Sequence, residues 1–400
     1  MPFKVAVLRE TRAGEARTAM VPAVATQLEK LGAEITCQAG PAAVAAADLV
    51  LGVQPPSEAV IAAMRPEAIL ISFLYAQQNL DLVATLRDRR ITAFAMELVP
   101  RISRAQPLDA LSSQAALAGY YAVLLGAIHL PRVLPRMTTA AGVIRPATAL
   151  VMGLGVAGLQ AIATLRRLGA VIEAYDVRPE TKEEAESLGA KFVSTGVDAR
   201  GEGGYARELT PEERDRIAAV VTTHIQKADL IVTAAAVPGR RAPRLITAEQ
   251  VAGMKPGAVI VDLGAEGGGN CALSQPGEIV HASGRGGEVT ILAPLNITSH
   301  LAENASELYA KNVFNLLKLM IHEGSLALDW SDEVVAQTAL THAGEIKNPA
   351  VRAALEAAPD AAAWTRPERQ RACGAEERIP AQRAEASVPN RGGEPPRQGT

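Results

Sequence analysis

The chain has 400 residues, enough for two or three domains and too long for one small core. Lys plus Arg numbers 40 against 43 Asp plus Glu, and the resulting net charge of -3 excludes a strongly basic nucleic-acid surface. Apolar residues at 48% exclude global disorder, and aromatics at 3% exclude base-stacking platforms.

Three cysteines, Cys37, Cys271 and Cys373, cannot build a disulfide framework, which points to a reducing compartment. The N-terminus lacks a signal-like apolar stretch, and no window of about twenty residues reads as both apolar and uncharged, so no membrane span is expected.

The periodicity predicts a short buried strand over 5–8, a helix over 22–31 opened by Pro22 and closed by Gly32, and a strand from Glu34. Segments 42–46, 49–51, 60–64, 69–73 and 80–86 continue the alternation of strand and helix, and 91–94 closes it. Residues 112–130 form an alanine-rich apolar helix, a rod between two lobes, followed by a turn-rich crossing over 138–145. A second series then begins, with strands over 149–152, 171–175, 191–193, 230–233, 258–262 and 289–292 and helices over 157–168 and 182–188. Residues 195–212 are glycine-rich and aperiodic, the mark of a functional or mobile loop. A helix over 306–322 returns the chain to the first lobe. Residues 366–400, with seven Arg, five Glu and five Pro, read as a disordered tail or linker.

Gly153-Leu154-Gly155-Val156-Ala157-Gly158 is a G-x-G-x-x-G placed between an apolar strand and an amphipathic helix, with Asp176 at the end of the next strand. Gly153 permits the tight turn, Gly155 lets the backbone approach a pyrophosphate, and Gly158 lets helix and strand pack closely. The helix N-terminus faces the phosphates. Asp176 accepts hydrogen bonds from a ribose 2′-hydroxyl and repels a 2′-phosphate, favouring NAD(H) over NADP(H), a preference that Arg178 blurs. Pro238-Gly239, Gly264 and the glycines at 267–269 follow predicted strands, where such sheets bind ligands. Asn270 there either contacts the nucleotide or caps a turn. The expected fold is α/β: two Rossmann-like lobes with parallel sheets, joined by long helices. The first lobe is discontinuous (1–130 completed by 305–360), and the NAD(H)-binding domain spans 135–300.

Several longer motifs in one order carry a resemblance: Met96 to Gln106, Leu108 to Ser113, Ala118-Gly119-Tyr120, Glu15-Ala16-Arg17, Gly203 to Ala206, Thr233 to Gly239, Met254 to Gly257 and Gly268 to Cys271. Over residues 3–355 the chain resembles the NAD(H)-binding alpha component of proton-translocating NAD(P) transhydrogenases, in the alanine dehydrogenase/PNT superfamily. The resemblance implies Re/Si-specific direct hydride transfer between NAD(H) here and NADP(H) on a partner subunit. It also implies a membrane-spanning proton-conducting subunit, a homodimer, and a cytoplasmic location on the inner membrane through those partners. Neither nucleic acid nor a metal is expected, the six histidines being scattered.

It assigns nicotinamide-side roles to Arg101, Gln106, Asp109, Ser112 and Tyr120. Cofactor contacts fall on Gly153, Gly155, Val156, Ala157, Gly158, Asp176, Val177, Arg178, Ala234, Ala235, Pro238, Gly239, Gly264, Glu266, Asn270 and Asn296, with Tyr205 on a closing loop. Two positions depart from the family pattern: Tyr121 replaces an Arg, and Thr298 replaces the Pro of an Asn-x-Pro-Ser motif. The rival reading is an alanine dehydrogenase, whose essential Lys and His align with Gln54 and Tyr75 here. A non-catalytic dinucleotide-binding module is the other alternative.

Overall fold

Runs of Val, Ile, Leu and Ala too apolar to face water on either side make buried strands, and these order the molecule. The computed structural model describes residues 2–197, 210–236 and 241–357, and Met1–Leu355 form one compact unit. The first series is β1 (Phe3–Leu8), α1 (Pro22–Glu29), β2 (Ala33–Ala39), α2 (Pro41–Ala46), β3 (Leu49–Leu51), α3 (Glu58–Ala63), β4 (Ile69–Ser72), α4 (Leu80–Asp88) and β5 (Thr92–Ala95). Helix α5 (Ala110–His129) and the hairpin of β6 (Met137–Thr139) and β7 (Gly142–Ile144) lead into the second lobe.

That lobe holds β8 (Thr148–Met152), α6 (Val156–Arg167), β9 (Val171–Tyr175), α7 (Thr181–Ser187), β10 (Lys191–Phe192), α8 (Pro211–Lys227), β11 (Leu230–Thr233), α9 (Ala248–Ala252), β12 (Val259–Asp262), β13 (Ile279–Gly284) and β14 (Gly287–Leu292). The chain returns through α10 (Ala302–Leu317), a hairpin of β15 (Ile321–His322) and β16 (Ser325–Leu326), α11 (Glu333–Thr338), β17 (Ala339–His342), β18 (Glu345–Ile346) and α12 (Pro349–Ala357).

Two seven-stranded sheets result among the described residues. The first has the order β18-β17-β5-β4-β3-β1-β2, so its strands come from both ends of the chain. The second has the order β10-β9-β8-β11-β12-β14-β13. The α/β fold with two parallel-rich sheets is as the alternation predicts, but neither sheet is wholly parallel. β17 runs antiparallel to β5, β18 antiparallel to β17, and β13 antiparallel to β14. These strands lie toward the sheet edges and are short, so they lack the continuous apolar run that marks the central strands.

Other differences follow from local signals. The turn-rich crossing is an exposed two-stranded hairpin. Helix α8 begins at Pro211, inside the stretch expected to be a loop; Thr210 and Glu213 exchange side-chain-to-backbone bonds in a capping box. The returning helix ends at Leu317, because the chain turns into the β15–β16 hairpin.

Helix α5 corrects a further expectation. It contains no Lys, Arg, Asp or Glu over twenty residues, and is long and apolar enough by length and composition to cross a membrane. In this fold it packs against α6, α10 and β12. Two glycines make that packing close: a Cβ at Gly119 would lie 2.0 Å from the Ala157 carbonyl oxygen, and one at Gly126 would lie 2.5 Å from Leu230.

Candidate dinucleotide site and inter-lobe cleft

In the second sheet the connections reverse direction between β8 and β11, which leaves a crevice at the carboxyl ends of those strands. Gly153 closes β8 with φ +93, a conformation L side chains avoid, and a Cβ there would lie 2.6 Å from the Ala235 amide nitrogen. A Cβ at Gly158 would lie 1.9 Å from the Gly153 carbonyl oxygen. Around Gly155, in contrast, there is open space to 4 Å. Helix α6 starts there with no side-chain cap, and Val156 at its first turn is exposed. The arrangement fits an anionic pyrophosphate, which the uncapped amides and the helix dipole attract.

Asp176 stands at the end of β9, but its carboxylate is already engaged. Oδ1 accepts from the Arg178 amide at 2.9 Å and Nε at 3.0 Å; Oδ2 accepts from the Leu154 amide at 2.7 Å and Arg178 Nη2 at 3.0 Å. The expectation of a free acidic acceptor is therefore corrected. A ribose hydroxyl has to share or displace the Arg178 fork, because an ionised carboxylate offers about four acceptor sites. Val177 is half-buried against the apolar cluster on the adjoining sheet face.

The loop after β12 is organised by Asp262, which is fully buried. Its Oδ1 accepts from Thr233 Oγ1 and the amides of Gly264 and Asn270; its Oδ2 accepts from the Cys271 amide and Ser274 Oγ. An acidic residue closing a buried apolar strand just before a glycine-rich loop was the available signal for it. Asn270 is buried and ties loops together: its amide donates to the carbonyls of Ala235 at 2.9 Å and Pro243 at 2.8 Å. Its Oδ1 has no partner among the described residues and would lie 2.6 Å from a Cβ at Gly264. Ala234 continues the β11 ladder by donating to Met152. Tyr205, Pro238, Gly239 and the tail lie outside the described residues.

The first-lobe candidates follow β5. Arg101 and Gln106 are exposed, and Gln106 sits in a short helical turn, Ser103–Leu108. That turn is tied down on both sides. The Pro107 carbonyl accepts from Asn312 and Asn315 of α10, and Arg104 forks onto Asp332 at 2.7 and 3.0 Å. Asp109 caps α5, accepting from the Ser112 amide at 2.9 Å and Ser112 Oγ at 2.5 Å. Tyr120 is exposed beside Gly119, and so adjoins the start of α6. Tyr121, at the first departure from the family pattern, stacks on His300 with centroids 5.1 Å apart.

Between the lobes lies a polar cluster that no local sequence signal assembles. Arg17 donates to Glu15 through Nε at 2.8 Å and Nη2 at 2.6 Å, to Gln114 through Nη1 at 2.9 Å, and to Asn296 through Nη2 at 3.0 Å. Asn296, expected on the nucleotide, has a left-handed backbone (φ +45) and donates its amide to Gly14, Glu15 and Ser299. Glu266 accepts from the Asn296 backbone at 2.5 Å. Gln54 is buried between Arg12 and Glu15, and burial first of all pushes the Tyr75 hydroxyl up to about 12.

Family models for the alanine dehydrogenase/PNT N-terminal and C-terminal domains match residues 41–118 and 122–349. The chain belongs to the alanine dehydrogenase/PNT family. Within that family its strong similarity is to transhydrogenase subunits. A protein of Rhodospirillum rubrum, named as the first portion of a split NAD(P) transhydrogenase subunit alpha, is 43% identical over 383 residues, covering 87% of this chain and 99% of its own. The NAD(P) transhydrogenase subunit alpha of Haemophilus influenzae is 38% identical, covering 86% of this chain and 72% of its own. The transhydrogenase structure from Sinorhizobium meliloti superposes with a TM-score of 0.77 at 40% identity, covering 86% of this chain and 99% of that one. Alanine dehydrogenase is a more distant relative: the Mycobacterium tuberculosis protein is 30% identical over 300 residues, covering 68% of this chain and 76% of its own.

Proposed function

We propose that this chain is the NAD(H)-binding component of a proton-translocating transhydrogenase and works with an NADP(H)-binding subunit and a membrane-spanning proton-conducting subunit. The carrying observation is the uncapped α6 N-terminus, with Gly155 opening onto free space at the switch point of the second sheet. The α6 amides hold the pyrophosphate, and Asp176 with Arg178 meets the adenosine ribose. Arg101, Gln106, Asp109, Ser112 and Tyr120 shape the nicotinamide side, and Tyr205, Pro238 and Gly239 belong to loops that close over the cofactor. When bound, the dihydronicotinamide supplies the hydride. The chain's own contribution is to hold the ring at near-attack distance from the partner's nucleotide and to exclude water.

Two buried groups favour this reading over amino-acid oxidation. Gln54 carries no charge to polarise an oxo acid, and Tyr75, held near 12, exchanges no proton at neutral pH. A homodimer suits the apolar exposure of Ile128, Met137, Val143 and Ile144. The component then sits on the cytoplasmic side of the inner membrane through its partners. The test measures NADH and NADPH binding to the purified chain, then hydride transfer to an acetylpyridine NAD analogue with and without an NADP(H)-binding partner. Selective NADH binding and partner-dependent transfer are expected. Oxidation of alanine by the chain alone would overturn the reading.

A further inference from the structure

The first sheet has its own switch point, between β1 and β3, where loops 9–17 and 52–54 leave the carboxyl ends of adjacent strands. A fold of this kind offers a ligand crevice there. Here the chain fills it with its own groups. The Glu15 side chain is 0% exposed and that of Arg17 5%, and four of the five guanidinium N–H groups are engaged, since Nη2 serves both Glu15 and Asn296.

The acceptors come from three parts of the molecule: Glu15 on the first lobe, Gln114 on α5, and Asn296 on the second lobe. Ser299 closes the circuit, donating to Glu15 at 2.7 Å and accepting from the Ala16 amide at 3.2 Å. Asn296 is joined in turn to Glu266, in the glycine-rich loop of the dinucleotide site. Gln114 is joined to α10 through the Ala305 carbonyl.

We propose that Glu15, Arg17, Asn296 and Ser299 form a latch that fixes the angle between the lobes, and that Arg17 and Ser299 are positioning residues for hydride transfer. This rests on the transhydrogenase reading. The latch bonds are buried and cross from lobe to lobe, so they hold together or part together: a half-broken set leaves a buried charge without its partner. Because one member binds Glu266, parting moves the loop that borders the nicotinamide end of the cleft relative to Asp109 and Gln106. A small angular error there slows a reaction that depends on ring-to-ring geometry far more than it weakens binding at the α6 turn.

The test compares the full-length wild-type chain with Ser299→Ala and Arg17→Lys. Ser299→Ala removes two latch bonds without stranding a charge, and Arg17→Lys keeps the charge but loses the fork. Exposed Cys37 and an introduced Val171→Cys, in a Cys373→Ser background, carry spin labels that report the inter-lobe distance. A single narrow distance is expected in the wild type and a broadened or shifted one in both variants. NADH affinity should weaken less than threefold, while hydride transfer at saturating NADH, with the partner component, falls at least tenfold.

A lowered melting temperature with unchanged distance and unchanged transfer rate would overturn the latch and leave a merely structural cluster. Absence of transfer in the wild type would overturn the transhydrogenase reading, while the distance distributions would still decide the latch.

Discussion

At the scale of single residues, the three glycines of the fingerprint separate folding from binding. Gly158 touches the Gly153 carbonyl, so Gly158→Ala must push α6 away from β8, an overpacking cost of about 1–3 kcal/mol. Gly155 has an ordinary extended backbone (φ -86) and open space before it. Gly155→Ala should therefore keep the wild-type melting temperature and lose at least tenfold in NADH affinity, because its methyl occupies the place of a phosphate. Thermal unfolding and fluorescence titration of both variants check this; equal loss of stability in the two would refute it. Arg178 yields a second prediction. It neutralises Asp176, and its pKa is raised chiefly by that hydrogen bond. Arg178→Ala leaves an unshielded carboxylate facing the ribose, so the preference for NADH over NADPH should widen in competition titrations.

At the scale of elements, the residues between β5 and α5 matter through what they cap. Asp109 satisfies the Ser112 amide at the start of a twenty-residue helix whose other positions are mostly apolar. Asp109→Ala should cost about 1 kcal/mol of stability, typical of a lost N-cap. It should also slow hydride transfer, since the Ser103–Leu108 turn is hinged on that cap. Asp109→Asn retains an acceptor and should restore both; recovery of the melting temperature without recovery of transfer would show that the charge itself is required.

The central strands and the fingerprint were legible in the sequence because each has a local cause: continuous apolar runs for β3, β4, β8, β11 and β12, and a strand–glycine–helix transition for the site. The antiparallel edges and α9 were not, because strands of two to six residues and a five-residue helix draw their stability from neighbours distant in sequence. The latch was illegible for the same reason. Arg17 and Asn296 lie 279 residues apart, and nothing local marks either as the other's partner.

At the scale of the whole molecule, the latch gives the lobes a shared dependence on acid. Burial alone would raise the Glu15 pKa, but the hydrogen bonds and charge of Arg17, with the Gln54 amide, outweigh it and hold the carboxyl at about 2. An unfolded Glu titrates at about 4.3. Between those values the unfolded chain binds a proton that the folded chain does not, so folding stability falls as pH falls. The Glu15 contribution is complete above about pH 4.5 and is lost on the way down to about pH 2.

Glu10 and Glu97 act with the opposite sign. Burial raises both, so each takes up its proton more readily when folded and favours the folded state as pH drops. A bare acid-denaturation curve mixes these contributions, whereas comparison with Glu15→Gln isolates one. The stability gap between wild type and Glu15→Gln, from urea unfolding, should be wide at about pH 6 and close progressively between about pH 4.5 and about pH 2. The inter-lobe distance of the wild type should broaden over the same interval. A gap that stays constant with pH would mean that Glu15 is held by packing and not by its charge on Arg17.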